Sequence, residues 1–152
     1  MEKLVPKLQA TFTQFIFMPG RRASWSPELK RITYINTPED TSLWALLHEL
    51  GHALAGHTTY DSDIALIRKE TEAWHKATEV SLHYNITINE EHIQQCLDTY
   101  RDWLYKRSTC PVCEGHGIQT AQSAYGCYNC GSAWQVSAER FCRPYRALSV
   151  LH

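Results

Sequence analysis

Long apolar runs are missing from this 152-residue chain, and so is an excess of charge of either sign. No hydrophobic stretch approaches the roughly 20 residues that span a bilayer, so no membrane-crossing helix is expected. Fifteen Lys and Arg stand against 16 Asp and Glu, a net charge of -1. That total carries no electrostatic footprint of nucleic acid or a membrane surface, although a local basic patch would not show in the sum. The segment Met1 to Lys7 has no apolar h-region, so no export signal is expected and the location is read as cytoplasmic. Internal repeats and low-complexity tracts are absent. Cysteine is limited to six residues, and four of them sit in two C-x-x-C pairs. Without an export signal, metal thiolates in a reduced compartment are expected rather than a disulfide framework. The length suffices for one domain with a core and a small appendage.

The stretch that is present and informative is Leu46-Leu47-His48-Glu49-Leu50-Gly51-His52-Ala53-Leu54. It reads H-E-x-x-H within an apolar helical run. Residues four apart stack on one helix face, so His48 and His52 can present two imidazole nitrogens to one metal ion. Glu49 is rotated off that face and can reach a water beside the metal. This is the arrangement used by zinc hydrolases, with two ligands and a general base on one short helical segment.

In chain order, Lys3 to Phe17 carries apolar residues at helix-like spacing and is expected to be helical up to Met18-Pro19-Gly20. Phe12 to Met18 also has strand composition. Arg21 to Trp25 and Arg31 to Asn36 read as short strands. Thr37, Pro38 and Asp40 suit the N-cap, N1 and N3 positions of a helix that runs to about Ala55. Its buried stripe is Leu43, Leu46, Leu47, Leu50, Ala53 and Leu54, and Gly56 suits C′. Gly51, between the histidines, costs about 1 kcal/mol against Ala; close approach by another segment would account for it. A second helix is expected from Ser62 or Asp63 to Tyr84, striped by Ile67, Trp74, Ala77, Val80, Ser81 and Tyr84. A third follows an Asn89 N-cap and extends to about Lys106, with Cys96 on its apolar stripe. Composition shifts at Arg107-Ser108, giving expected domains 1–107 and 108–152. Val136 to His152 reads as a short helix or a loose tail, and Cys142 has no partner motif.

A catalytic zinc takes three protein ligands and leaves one position for water. His57 does not match the metzincin spacing, which places Gly at 55 and His at 58 where this chain has Ala55 and Thr58; it reads as a pocket or solvent histidine. The second helix offers Glu70, Glu72, His75 and Glu79. Beside Arg68 and Lys69, the acids at 70 and 72 also fit a solvated helix face. Ile32 to Asn36, Leu46 to His57 and Glu70-Thr71-Glu72-Ala73-Trp74 together resemble the gluzincin-type core of the ImmA/IrrE metallopeptidase family. In that family a strand precedes the H-E-x-x-H helix, and a Glu on the following helix completes the zinc site. Carried over residue by residue, the resemblance makes His48, His52 and Glu72 the zinc ligands and Glu49 the base, with Glu70 the rival to Glu72.

Cys110-Pro111-Val112-Cys113 and Cys127-Tyr128-Asn129-Cys130 form C-x2-C-x13-C-x2-C. Each pair chelates from a tight turn, and four thiolates close a structural zinc site. Gly115 and Gly131 follow the two pairs, as zinc knuckles often require. So small a module buries little core, so the metal supplies folding energy. Tyr125, Tyr128 and Trp134 are either the ribbon's own core or platforms for bases. H-E-x-x-H followed by a zinc ribbon also resembles the layout of SprT/Spartan-like proteases, which act on DNA-bound proteins.

The expected fold is α+β: a minimal zincin domain with a short antiparallel sheet, an active-site helix and packed helices, then a C-terminal zinc ribbon. The expected function is zinc-dependent endopeptidase action on a protein substrate, with a regulatory or DNA-bound protein as candidate and two zinc ions, one catalytic and one structural. The strand at 31–36 would pair with extended substrate, and Tyr60, His75 and Tyr84 are candidate oxyanion donors. The competing class is a non-catalytic zinc module that binds nucleic acid or a partner protein through its ribbon.

Overall fold

The computed structural model describes residues 1, 3–138 and 146–149. Among them the chain is α+β, with four helices and two small sheets. It forms two compact units. One comprises Met1–Thr59 and Arg68–Ile93; the other comprises Tyr60–Ile67 and the described residues from Gln94 onward. No helix among the described residues is long and apolar enough to cross a membrane.

The first unit opens with α1 (Leu4–Thr11), which buries Leu4, Val5 and Leu8. The helix is shorter than its apolar spacing predicts. Phe12 leaves helical geometry at φ -110°, ψ 60°, and Ile16–Pro19 forms strand β1. The strand composition of Phe12 to Met18 therefore prevails, because β1 gains main-chain partners in a sheet. Strands β2 (Ser24–Ser26) and β3 (Arg31–Tyr34) complete that sheet in the order β1-β3-β2. The expectation of an antiparallel sheet holds for β2 with β3; β1 runs parallel to β3, so the sheet is mixed. β3 is central and has a neighbour on each side, so it offers no free edge to a substrate. The open edges belong to β1 and β2.

Helix α2 (Asp40–Leu54) packs across β3 and β2. Leu46, Leu47 and Leu50 are fully enclosed with Ile32 of β3. Its N-cap is Glu39, in extended geometry, two residues beyond the predicted Thr37. The Thr37 hydroxyl instead donates to Ser42 Oγ at 2.7 Å. The helix ends as predicted: Gly56 adopts φ +67°, Gly56 N–H donates to Ala53 O, and His57 N–H donates to His52 O. This paired closure is a Schellman motif, and it turns His57 back toward the helix it follows. The next helix, α3 (Asp63–His83), buries Ala73, Trp74, Ala77 and Val80. A Cβ on Gly51 would lie 2.1 Å from Ala73 O. The cost of glycine within α2 is thus the condition for this close approach.

Helix α4 (Glu90–Ser108) starts at the predicted cap, with Asn89 Oδ1 accepting from Glu91 N–H at 2.8 Å. Cys96 is only half-buried, and Leu97 takes the core position beside it. The second unit is larger than the ribbon expected from residue 108, because it includes 60–67 and α4 from Gln94. Its antiparallel sheet runs β4 (Ile118–Ala121), β5 (Ala124–Gly126), β6 (Ala133–Val136) and β7 (Arg146–Leu148), in that order. Arg146 to Leu148 is therefore a strand, while Cys142 and the other tail residues at 139–145 and 150–152 lie outside the described residues.

A buried polar cluster explains why these segments belong together. Arg107 Nε donates to Asp63 Oδ2 at 2.6 Å, and its Nη2 donates to Asp63 Oδ1 at 3.3 Å. Tyr125 Oη donates to Asp63 Oδ2 at 2.5 Å, and Trp134 Nε1 donates to Arg107 O at 2.9 Å. Burial, reinforced by the Asp63 carboxylate, pushes the Tyr125 phenol well above its ordinary range. Asp63 and Arg107 are each about 2 % exposed. Removing one member of such a pair strands the other charge, so Arg107→Ala is expected to destabilise this unit by about 3–5 kcal/mol. Urea denaturation followed by tryptophan fluorescence and far-UV circular dichroism reads this; a change within about 0.5 kcal/mol would contradict it.

Candidate metal centres

Two groups of side chains among the described residues could hold a metal ion: His48, His52 and Glu70 in the first unit, and Cys110, Cys113, Cys127 and Cys130 in the second. In each, the ligand atoms all lie within 4.8 Å of one another.

The histidine site is assembled by α2 and α3. His48 and His52 are one helical turn apart, and their Nε2 atoms approach to 3.1 Å. Glu70 Oε2 lies 3.1 Å from His48 Nε2 and 3.6 Å from His52 Nε2. A tetrahedral zinc with bonds of about 2.0–2.1 Å spaces its ligand atoms about 3.3–3.4 Å apart. The observed triangle fits that demand. Burial opposes the ionised form of Glu70, but the polar contacts with the His48 and His52 imidazoles outweigh it and hold the carboxyl well below the usual range. The Trp74 ring covers His48 at 4.3 Å between centroids. Among the described residues His48 Nδ1 is buried with no hydrogen-bond partner.

The carboxylate brought to the histidine pair is Glu70. Glu72, the ligand implied by the family resemblance, is not in this group; its Oε2 lies 3.2 Å from His57 Nε2. The reason is helical phase. Two residues on a helix are about 200° apart, so the acids occupy nearly opposite faces. Glu70 lies three residues before Ala73 and four before Trp74, the residues that meet Gly51 and His48 of α2. That phase relation is a signal already present in the sequence. His57 is buried rather than solvent-facing, and its Nδ1 lies 2.8 Å from His52 Nδ1. Burial lowers its pKa, partly offset by the hydrogen bond to Glu72.

Glu49 is half-buried beside the pair. Burial raises its pKa, while His48, His52 and the Trp25 backbone N–H favour the carboxylate. The Trp25 indole donates to His57 O at 2.8 Å, so β2 is tied to the end of α2. Of the expected oxyanion donors, His75 pairs with Glu79 at 3.3 Å and is 72 % exposed. Tyr84 donates to Thr11 Oγ1 at 3.0 Å, and Tyr60 belongs to the second unit. The geometry singles out none of the three.

The cysteine site forms at two turns flanking β4 and β5. Cys110 and Cys130 Sγ are 3.6 Å apart, as are Cys113 and Cys127 Sγ. A disulfide requires about 2.0 Å, whereas tetrahedral zinc with bonds of about 2.3 Å gives edges of roughly 3.8 Å. Cys110 Sγ accepts from Val112 N–H, and Cys113 Sγ accepts from Asn129 Nδ2, both at 3.4 Å. Such donors favour thiolates; the Asn129 contact is the main cause of a Cys113 thiol lowered to about 6. The knuckles share one register. In the first, Cys110 N–H donates to Gly115 O and Glu114 N–H to Cys110 O; in the second, Cys127 N–H donates to Ser132 O and Gly131 N–H to Cys127 O. The left-handed residues are Gly131 in the second knuckle and Glu114, at φ +60°, in the first. Tyr125 and Trp134 stack within the ribbon core at 5.7 Å, leaving Tyr128 as the exposed ring of the three.

No family model matches this chain, and no curated protein or solved structure shows significant similarity to it.

Proposed function

We propose that this protein is a zinc-dependent endopeptidase of the ImmA/IrrE-like kind, with His48, His52 and Glu70 as ligands and Glu49 as general base. The observation that carries the reading is the triangle of two imidazole nitrogens and one carboxylate oxygen at metal-ligand spacing, with a second, half-buried carboxylate beside it. Three protein ligands are the number that leaves room for solvent at a catalytic zinc. Held by these three residues, a zinc ion would supply Lewis-acid polarisation of a carbonyl and a more acidic water. Glu49 Oε takes the water proton and returns it to the leaving amine. Of the two open sheet edges, β2 is the one whose Trp25 N–H reaches Glu49. An extended substrate would pair along β2, in place of the strand at 31–36. The four cysteines hold a second, structural zinc that stabilises the ribbon.

Metal content of the purified protein tests this reading. Two zinc ions per chain are expected; Glu70→Ala should release one and Cys110→Ser the other, while Glu72→Ala keeps both at micromolar free zinc. Hydrolysis is then assayed on casein, on a repressor and on a DNA-crosslinked protein, to separate general, regulatory and crosslink-directed proteolysis. A wild type that holds only the cysteine-bound ion, or two bound ions with no hydrolysis of any of these substrates, would overturn the peptidase assignment.

A further inference from the structure

The two acids of α3 that compete as third ligand have separate placements, and the second has a use of its own. Glu72 Oε2, His57 Nε2, His57 Nδ1 and His52 Nδ1 form a continuous line of hydrogen bonds, with contacts of 3.2 Å and 2.8 Å. We propose that His57 and Glu72 are positioning residues that preset the tautomer and ring orientation of His52 for its metal. The inference rests on the reading of His48, His52 and Glu70 as a metal site.

The direction of the line follows from its outer end. A carboxylate has no proton to give, so His57 Nε2 carries the hydrogen and donates to Glu72. A neutral imidazole has one N–H, so His57 Nδ1 is a lone pair and accepts from His52 Nδ1–H. His52 Nε2 is then left as a lone pair, and it is the atom that faces His48 Nε2 and Glu70 Oε2. With the opposite arrangement His52 Nε2 would carry a hydrogen and could not ligate. The line is also anchored in the backbone. The Schellman closure fixes His57 N–H on His52 O, and the Trp25 indole fixes His57 O. His48 has no such support, since its Nδ1 is buried and unpartnered and its ring is held by contact with Trp74. The two histidine ligands are therefore oriented by different means, and among the described residues only His52 is set by polar contacts beyond the site.

Partners of this kind typically contribute 10–100-fold in metal affinity. The test uses the full chain with its ribbon metal retained. Zinc affinity at the histidine site is measured by chelator competition for wild type, His57→Phe, Glu72→Ala and Glu72→Gln. Long-range proton–nitrogen correlations of labelled histidine report the His52 tautomer before zinc is added to that site. The Nδ1–H tautomer is expected in the wild type, a measurement that needs no substitution. Affinity should fall about 10- to 100-fold in His57→Phe and Glu72→Ala, with part recovered in Glu72→Gln, whose amide oxygen still accepts. Glu72 is 56 % exposed, so a loss on its removal is not a packing effect. An Nε2–H or mixed tautomer in the wild type, or unchanged affinity in Glu72→Ala, overturns the relay while leaving the metal site standing. A wild type that binds zinc only at the cysteines overturns the metal reading, and the relay's purpose with it.

Discussion

Glu49→Gln is expected to reduce peptide hydrolysis by about 10²- to 10⁴-fold, the usual contribution of a positioned acid–base group, while both zinc ions stay bound. The substitution preserves size and one acceptor oxygen, so the contact with the Trp25 N–H can persist. It removes the ability to take a proton. Glu49 is adjacent to His48 in sequence but rotated about 100° around α2, so its loss leaves the ligand triangle of His48, His52 and Glu70 intact. Burial raises the carboxyl above the ordinary range, and His48, His52 and the Trp25 N–H pull against that rise. Measured kcat/KM and zinc content together decide the matter: full activity with two ions bound would eliminate Glu49 as the base, whereas loss of an ion would show that the substitution disturbed the site.

Gly51→Ala is expected to destabilise the first unit by about 1–3 kcal/mol, the usual cost of overpacking, although helix propensity alone would favour Ala by about 1 kcal/mol. The added Cβ would stand 2.1 Å from Ala73 O and 2.9 Å from Ala73 C. These are backbone atoms of α3, so relief requires the helix to move. Glu70 lies one turn before Ala73 on the same face, and it would move with the backbone. Zinc affinity at the histidine site should therefore fall together with stability, and the cysteine-bound ion should remain. Denaturant titration and chelator competition on the same variant check both effects. A gain in stability, as propensity alone predicts, would mean that the two helices are not in register at this contact.

Much of the site was legible before folding, because it depends on spacing along one element. The i, i+4 relation of His48 and His52 needs only that α2 be a helix, and Leu46, Leu47 and Leu50 provide the apolar stripe that makes it one. The ribbon is similar: each C-x-x-C closes over a turn, and the four thiols are brought together as their spacing implies. The start of α2 was misplaced because Thr37 looks like a cap, yet its hydroxyl is taken by Ser42. The helix expected through Phe17 gave way to β1 because β3 supplies the main-chain partners that those residues lack by themselves.

Local chemistry alone thus determined the imidazole pair, the adjacent carboxylate, the left-handed stop at Gly56 and the two thiols of each C-x-x-C turn. Each of these is settled within a few residues by helical period, turn geometry or chelate bite. The tertiary structure decided which strand edge stays open and that His57 stands behind His52, and it selected, by the phase relation latent in the sequence, Glu70 as the acid of α3 that meets the imidazoles. Those outcomes depend on how one element is rotated or ordered against another. That rotation is set by burial of Ala73, Trp74 and Ala77 against their neighbours, and by the room that Gly51 leaves for Ala73.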